Sequence, residues 1–412
     1  MENFDVVVCG CGSAGFCAAV SAARNGCRTA VIEKYAMPGG ILTVTGNNSI
    51  DQFNNPFVKG NNMIISGTGW EFVRRLHALG FASIPDMCAE YKAHWQYGVK
   101  VNPAAAAALM DEMLLGAGVT VFYAQPVVDV AVSGSRIESV TISTKSGLKK
   151  ISAGIFIDCT GDGDLCAWAG AEYEAGDGKG AYQPGTLRYY PVGMEYGKDD
   201  FILNFGDNTN HVCGMDATDS DMLTKAQINA RQDMLEKMIE SKKGGERVMS
   251  IAPEVAPREG RRIIGKSYMV SDDFISGKLF EDSICYSFWF VDIHRENEPT
   301  FHIYITDGST PAVRLTSMMP KSFTNLLCAG RCVSSDRKTN SALRVKSSCM
   351  AMGDAAGTAA ALTVKHSGGN TEELDIALVK STLAKNGCIV PGITEFDSFE
   401  HMMSVEYPPL SV

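Results

Sequence analysis

The order of predicted secondary-structure elements in the first 33 residues constrains the fold of this chain more than any other sequence feature. An apolar run at 5–9 predicts a buried strand, and Gly10, Gly12 and Gly15 follow it in the spacing G-x-G-x-x-G. A stretch rich in alanine then predicts a helix, and a second apolar run ends at Glu33. This succession of strand, glycine turn, helix, strand and acid is typical of the β-α-β unit that binds an adenine dinucleotide.

Each of these residues has a physical role in such a unit. Gly10 allows the sharp turn after the strand, Gly12 allows a phosphate to approach the backbone, and Gly15 allows the helix to lie close to the sheet. The helix N-terminus then faces the pyrophosphate, while Glu33 accepts hydrogen bonds from ribose hydroxyls and disfavours a 2′-phosphate. The glycine motif alone is a weak signal, and a glycine-rich turn in another kind of α/β protein is the alternative.

Composition narrows the class of protein and of partner. The 412 residues, 45% of them hydrophobic, are enough for two domains with a large core. A net charge of −10 without a basic run argues against nucleic acid and membrane surfaces as partners, which leaves a small-molecule substrate. The 13 cysteines follow no disulfide framework, and no signal-peptide pattern precedes the first strand, so we expect a cytoplasmic protein.

Hydrophobic patterns beyond the first unit predict further strands and helices. Strands are predicted at 120–123, 127–132, 136–143, 149–157, 284–293, 301–305 and 326–329. Helices are predicted near 70–79, 102–115, 224–241 and 348–365. The three segments from 127 to 157 are expected to form a small antiparallel excursion, and the last helix is expected to be buried in the protein rather than to span a membrane.

Three further segments have features that an extended cofactor would need. Gly39 and Gly40 follow the ribose acid and let the backbone wrap a pyrophosphate that continues towards a second group. The sequence DCTGDGD at 158–164 ends a buried strand and is predicted to lie beside the first glycine turn. Gly330 and Arg331 end another short strand before the last long helix.

Taken together, these segments resemble the FAD-dependent oxidoreductases with the glutathione reductase-like FAD-binding fold, related to the flavoproteins of fumarate reductase and succinate dehydrogenase. The stretches TGDGDL, REGRRIIG, LLCAGRCVS and RVKSSCMAMGDAAGTAAAL carry the resemblance. It implies an α/β fold in which a Rossmann-like FAD-binding domain is discontinuous, comprising 1–45, 101–164 and 320–370. An inserted α+β substrate or cap domain would comprise 46–100 and 165–319, followed by a C-terminal extension at 371–412.

The resemblance also implies which residues contact FAD. The pyrophosphate would contact Gly10, Gly12, Ser13, Ala14 and Gly15. The adenosine part would contact Glu33, Lys34, Val127, Thr160 and Gly161, and the phosphate, ribityl and flavin parts would contact Gly39, Gly40, Gly330, Arg331, Arg344 and Val345. Positive charge and the helix dipole at the last two positions would stabilise the reduced, anionic flavin.

Several features of relatives are missing from the sequence. Residues 34–60 contain no histidine that could bind a flavin covalently, so FAD is expected to be noncovalent. No cysteine pair of the disulfide-reductase type follows the first unit, and Cys328 and Cys332 are interpreted as structural. No spaced set of histidine, cysteine and aspartate suggests a metal site.

The candidates for catalysis lie in the middle of the chain. Arg258 and Arg262 belong to a dense basic cluster followed by Tyr268, and His294 and His302 occur in two strand-like runs. Arginine offers a planar fork for a carboxylate and histidine titrates near neutral pH, so we name Arg258, Arg262, Tyr268 and His294 as catalytic candidates. The alternative is that the arginines pair with nearby acids or pack on the FAD domain.

The predicted function is hydride transfer between FAD and a small organic molecule, such as an alcohol, a polyol or sugar-like compound, an amine or an enoate, with NAD(P)H kept open as a co-substrate. One alternative is a biosynthetic flavin or dinucleotide protein without redox turnover, of the thiazole-forming or RNA-modifying kind. Another is an NAD-dependent dehydrogenase that uses only the first unit. The substrate, the electron partner and the oligomeric state are left open.

Overall fold

A computed structural model describes residues 2–60, 62–90, 94–191, 209–241, 248–296 and 298–409 of the chain. In these residues the strands are β1 (Glu2–Cys9), β2 (Thr29–Ile32), β3 (Ser49–Ile50), β4 (Ala82–Ser83), β5 (Val99–Val101), β6 (Thr120–Phe122), β7 (Val127–Ser133), β8 (Arg136–Thr144), β9 (Gly147–Asp158), β10 (Tyr173–Ala175), β11 (Pro184–Pro191), β12 (Thr209–Gly214), β13 (Val248–Ile251), β14 (Arg261–Ile263), β15 (Ser283–Tyr286), β16 (Val291–Arg295), β17 (Glu298–Ile303), β18 (Ala312–Arg314) and β19 (Leu326–Cys328). The α-helices are α1 (Ser13–Arg24), α2 (Thr68–Ala78), α3 (Pro103–Gly116), α4 (Asp164–Ala169), α5 (Ser220–Ser241), α6 (Ser271–Ile275), α7 (Arg337–Leu343), α8 (Lys346–His366), α9 (Ile376–Lys385) and α10 (Phe399–Ser404).

A seven-stranded sheet organises the α/β fold. Its order is β6-β2-β1-β9-β8-β7, and β19 pairs with the end of β9. The strands β6, β2, β1, β9 and β19 are parallel, whereas β7, β8 and the start of β9 are antiparallel. The predicted antiparallel excursion is therefore confirmed. Because β1 and β9 pair along their length, with Cys9 opposite Asp158, the two turns that follow them lie side by side.

Helices α1 and α8 cover one face of this sheet and pack closely against each other. A Cβ atom at Gly353 would lie only 2.2 Å from the carbonyl oxygen of Ala14, and one at Gly357 would lie 2.3 Å from that of Ala18. The packing of the two helices thus requires small residues in α8, the feature that marks this helix in the sequence. Among the residues that the structure describes, no helix has the length and apolar character needed to cross a membrane.

Two predicted elements differ most from the observed ones. The apolar run at 284–293 is not one strand, because β15 pairs with β18 while β16 pairs with β17. Ser287 donates its N–H to the carbonyl of Pro311, one residue beyond the β15–β18 pairing, and residues 288–290 then form an irregular connection that contains Trp289. Helix α5 starts four residues earlier than predicted, where Asp219 accepts hydrogen bonds from the first backbone amides.

The C-terminal segment packs onto the rest of the protein. Trp70 Nε1 and the guanidinium of Arg74 both donate to the carbonyl oxygen of Met402 in α10. In α9, Val379 and Leu383 are buried in the main hydrophobic core. This segment therefore contributes to the stability of helix α2, which carries Trp70 and Arg74.

Candidate functional site

A cavity of about 440 Å³ opens at the carboxyl ends of the parallel strands. This is the position where open α/β sheets bind ligands, and the volume is in the range of small-molecule sites. Of the residues predicted to bind FAD, fourteen line the cavity: Gly10, Gly12, Ser13, Ala14, Glu33, Lys34, Gly40, Val127, Thr160, Gly161, Gly330, Arg331, Arg344 and Val345. Gly15 and Gly39 do not line it.

The first glycine turn has the geometry that its spacing predicts. Gly10 has a φ of +95°, and a Cβ atom there would lie 2.3 Å from the carbonyl oxygen of Cys159. A Cβ atom at Gly15 would lie 1.8 Å from the carbonyl oxygen of Gly10, so Gly15 serves the packing of the helix onto the turn. A Cβ atom at Gly12 would meet no atom within 4 Å. Gly12 is therefore the glycine of the motif that faces open space.

The second glycine pair lies directly against the first turn. The backbone N–H of Gly39 donates to the carbonyl oxygen of Cys11 over 2.7 Å. Gly40 has a φ of +51°, and a Cβ atom there would lie 3.3 Å from the Cα atom of Gly12. Gly39 thus holds the two glycine segments together, while Gly40 and Gly12 lie side by side in the cavity wall.

Glu33 stabilises the first turn through hydrogen bonds to backbone amides. Its carboxylate accepts from the N–H of Cys11 over 2.7 Å and from the N–H of Tyr35 over 3.0 Å. Burial raises the pKa of Glu33 to about 7, although the bond from Cys11 and the charge of Lys34 oppose the rise. The carboxyl group lines the cavity, and its contact with a ribose stays a prediction.

Two aspartates that the sequence analysis did not assign individually shape the turn after β9. Buried Asp158 accepts hydrogen bonds from the N–H and hydroxyl of Thr160 and from the N–H of Cys166. Asp162 accepts from the guanidinium of Arg331 over 2.8 Å, and Arg331 also donates to the carbonyl oxygen of Pro257. The side chain of Arg331 therefore joins three distant segments of the chain.

The other end of the cavity contains a network centred on Asp292. Its carboxylate accepts from Nε2 of His294 over 3.3 Å, from Nε2 of His302 over 3.2 Å and from the guanidinium of Arg344 over 3.3 Å. Burial would raise the pKa of Asp292, but the bond from His294 and the charge of Arg344 outweigh it and lower the pKa to about 2. Asp292 is therefore ionised at neutral pH.

His294 and Arg258 both line this end of the cavity. Burial lowers the pKa of His294 below its usual value, with a contribution from the charge of Arg258 and against the effect of Asp292. Burial also lowers the pKa of Arg258 to about 9, together with the charge of Arg344. The imidazole is thus neutral at pH 7, as a proton acceptor must be.

Arg262 and Tyr268, in contrast to the prediction, do not line the cavity. Arg262 lies in β14, opposite Glu174 of β10, and its guanidinium is 3.5 Å from that carboxylate. The hydroxyl of Tyr268 donates to the same carboxylate over 2.9 Å. The pairing of β10 with β14 places Arg262 opposite Glu174, and Tyr268, five residues beyond β14, bonds to the same carboxylate, so nearness to Arg258 in sequence does not bring either side chain to the cavity. We withdraw both as catalytic candidates.

Sequence reasoning also missed residues that line the cavity near His294. They are Asp51, Thr186, Arg188, Trp289, Asp292 and Lys346. Of these, only Asp292 could have been identified from the sequence, because it precedes His294 by two residues in a strand and therefore lies on the same face of that strand. Among the described residues, no group of three histidine, cysteine or acidic side chains could hold a metal ion.

Comparison with known proteins identifies a family whose sequences are similar to this chain. A sequence model of the family described as FAD dependent oxidoreductase matches residues 5–211 and 196–383. No curated protein sequence matches the chain.

The structure is also similar to several solved structures. One is a geranylgeranyl bacteriochlorophyll reductase-like protein from Thermoplasma acidophilum, 13% identical, with 94% of this chain and 84% of that chain covered and a TM-score of 0.45. Another is a flavoprotein/dehydrogenase from Cytophaga hutchinsonii, 15% identical, with 98% and 83% covered and a TM-score of 0.46. The flavin-dependent brominase Bmp2 is 12% identical, with 93% and 84% covered and a TM-score of 0.48. These TM-scores are too low to carry an argument about function.

Proposed function

This chain belongs to the family of FAD dependent oxidoreductases and is therefore an FAD-using enzyme, and on that premise we propose that it transfers a hydride between noncovalent FAD and a small organic substrate. The substrate would be an alcohol, a polyol or sugar-like compound, an amine or an enoate. The single observation that carries the proposal is the cavity, which joins the glycine turns at one end to His294, Arg258 and Arg344 at the other.

The residues present fit FAD at the dinucleotide end. Gly12 and Gly40 lie close together on the cavity wall, where neither has a side chain that would keep a phosphate from the backbone. Gly12 is also the N-cap residue of α1, and the backbone amides at the N-terminus of this helix favour a phosphate. We assign the pyrophosphate to Gly12, Ser13 and Gly40, the adenosine to Glu33 and Val127, and the flavin to the segment Arg344–Val345. When bound, FAD supplies a hydride acceptor or donor.

His294 is the proposed proton acceptor or donor for the substrate. Its Nε2 lies 3.3 Å from the ionised carboxylate of Asp292, which favours the tautomer with the proton on Nε2. Nδ1 is then the nitrogen that accepts a proton, and the lowered pKa of the partly buried ring keeps the ring neutral at pH 7. Asp292 is a positioning residue, since it acts on the substrate only through His294 and Arg344.

Substitution of His294 tests the proposal. We expect His294→Ala to keep its FAD and to slow flavin reduction by about 10²- to 10⁴-fold, the usual contribution of a general acid or base. The assay is anaerobic bleaching of the flavin band with a panel of alcohols, polyols, amines and enoates, with NAD(P)H as a separate arm. His401→Ala is the control, because His401 is exposed and pairs with Asp397. Equal reduction rates in the two variants would remove His294 from the mechanism.

We also propose the discontinuous domain division and a cytoplasmic location. The division is supported by the central sheet, whose strands come from residues 2–32, 120–158 and 326–328. The location is supported by the cysteines, since the twelve whose side chains the structure describes are free thiols.

A further inference from the structure

The reacting end of the cavity contains more positive than negative side chains. The cations that line it are Arg188, Arg258, Arg344 and Lys346, and the acids that line it are Asp51 and Asp292. This balance is the reverse of that of the whole chain, which has a net charge of −10. The lining of the whole cavity has as many acids as cations, so the positive excess is confined to this end, where it favours a ligand group of negative charge.

Both acids at this end already have partners. Asp292 accepts hydrogen bonds from Arg344 and His294. Asp51 accepts from the backbone N–H of Lys346 over 3.2 Å and lies 3.8 Å from its Nζ atom. In the part of the chain that the structure describes, no carboxylate forms an ion pair with Arg258, whose guanidinium donates to the carbonyl oxygen of Pro184.

The electrostatics of Arg258 show that its charge is not fully compensated. Its pKa is lowered by burial first, then by the positive charge of Arg344, with a further contribution from Arg188 and against the effect of Asp292. Nε of Arg344 is buried without a hydrogen-bond partner among the described residues. Buried cations that repel one another are stabilised by an anion in hydrogen-bond reach, and the guanidinium fork suits a carboxylate or a phosphate.

The geometry points to an anion subsite, formed by Arg188, Arg258 and Arg344, which binds a carboxylate or phosphate group of the substrate. This inference rests on the proposed function and narrows the substrate to a compound that carries such a group near its reacting carbon. Lys346 is not part of the subsite because it is engaged with Asp51 and with the carbonyl oxygen of Ser49.

Another role for the same charges would be to stabilise the reduced flavin alone. The two roles differ in what an anion does to the oxidised holoenzyme. A substrate subsite binds a small anion while the flavin is oxidised, and the bound charge changes the flavin absorbance. Cations that serve only the reduced flavin would set its reduction potential without binding an external anion.

The test is a titration of the oxidised holoenzyme, at constant ionic strength, with sodium acetate in one series and inorganic phosphate in another. We expect a saturable change in the visible flavin spectrum with at least one of them. Arg258→Gln should raise the dissociation constant at least tenfold while the FAD content stays at that of the wild type. Arg188→Gln is the second variant, and it keeps the test decisive if Arg258→Gln fails to fold.

Arg295→Gln is the matched control, since it removes the same charge from an exposed arginine in β16 that pairs with Glu298. Its dissociation constant should equal that of the wild type. The inference is overturned if neither anion changes the spectrum, or if the arginine variants bind the anion as tightly as the control. The titration needs no turnover, so its result does not depend on the proposed function. If the anion binds but no organic donor reduces the flavin, hydride transfer is contradicted while the anion subsite stands.

Discussion

Substitution of Gly12 by alanine separates cofactor binding from protein stability. In the structure, a Cβ atom at Gly12 would meet no protein atom within 4 Å, and the φ of −76° is accessible to alanine. Alanine is a poorer helix cap than glycine by about 0.5–1 kcal/mol, but it lowers the entropy of the unfolded chain by a similar amount. The free energy of unfolding of the apoprotein should therefore change by less than about 1 kcal/mol.

FAD binding should respond quite differently. If the pyrophosphate approaches the backbone at Gly12, an added methyl group separates them and weakens at least one hydrogen bond to a charged group. Such a bond contributes about 1.5–3 kcal/mol, which corresponds to roughly a 10- to 150-fold rise in the dissociation constant for FAD. Fluorescence titration of the apoprotein with FAD measures this constant, and urea unfolding of the apoprotein measures stability.

Gly353→Ala is the contrasting variant. Its Cβ atom would lie 2.2 Å from the carbonyl oxygen of Ala14, so helices α1 and α8 must move apart, at a cost of about 1–3 kcal/mol or more. We expect this apoprotein to lose stability and Gly12→Ala to lose FAD. Wild-type affinity for FAD in a folded Gly12→Ala protein would refute the placement of the pyrophosphate at this turn.

Three further predictions concern pH. The pKa of Glu33 is raised from 4.5 to about 7, so its contribution to stability is complete below pH 4.5 and is lost as pH rises through 7. Over that range, urea unfolding of the apoprotein should show the free energy of unfolding of Glu33→Gln rising by up to about 3 kcal/mol relative to that of the wild type. A difference that stays constant with pH would contradict the raised pKa. The pKa of Asp292 is lowered from 3.8 to about 2, so its contribution of about 2 kcal/mol to stability is present above pH 3.8 and is lost as pH falls through 2. At pH 7 the free energy of unfolding of Asp292→Asn should be lower than that of the wild type by that amount, and the difference should narrow on acidification. An unchanged stability at pH 7 would show that the network does not hold the carboxylate. Asp292→Asn should also lower the pKa of His294 further and so move the acid limb of the rate of flavin reduction to lower pH, without loss of FAD.

Much of the dinucleotide end could be predicted because its signals are local. A strand followed by glycines at fixed spacing determines the backbone of the turn, and the small residues of α1 and α8 determine how closely the two helices approach. For the same reason the strands at 127–157 were found close to their observed bounds. The prediction of one strand at 284–293 is wrong, because the two halves of this apolar run pair with different segments, β18 and β17, and local hydrophobicity does not show which segment a strand pairs with.

By itself, the sequence determined an α/β fold with a glycine turn after the first strand, an acid at the end of the second strand and a buried helix of small residues, since these follow from backbone conformation and hydrophobic period. The flavin cofactor was implied by the resemblance to a family. Only the tertiary structure decided which polar side chains meet at the reacting end. It brought Arg344 to Asp292, 52 residues away, and directed Arg262 and Tyr268 to Glu174 instead of the cavity. Contacts between side chains that are far apart in sequence depend on how distant segments pack, which local secondary-structure propensity does not determine.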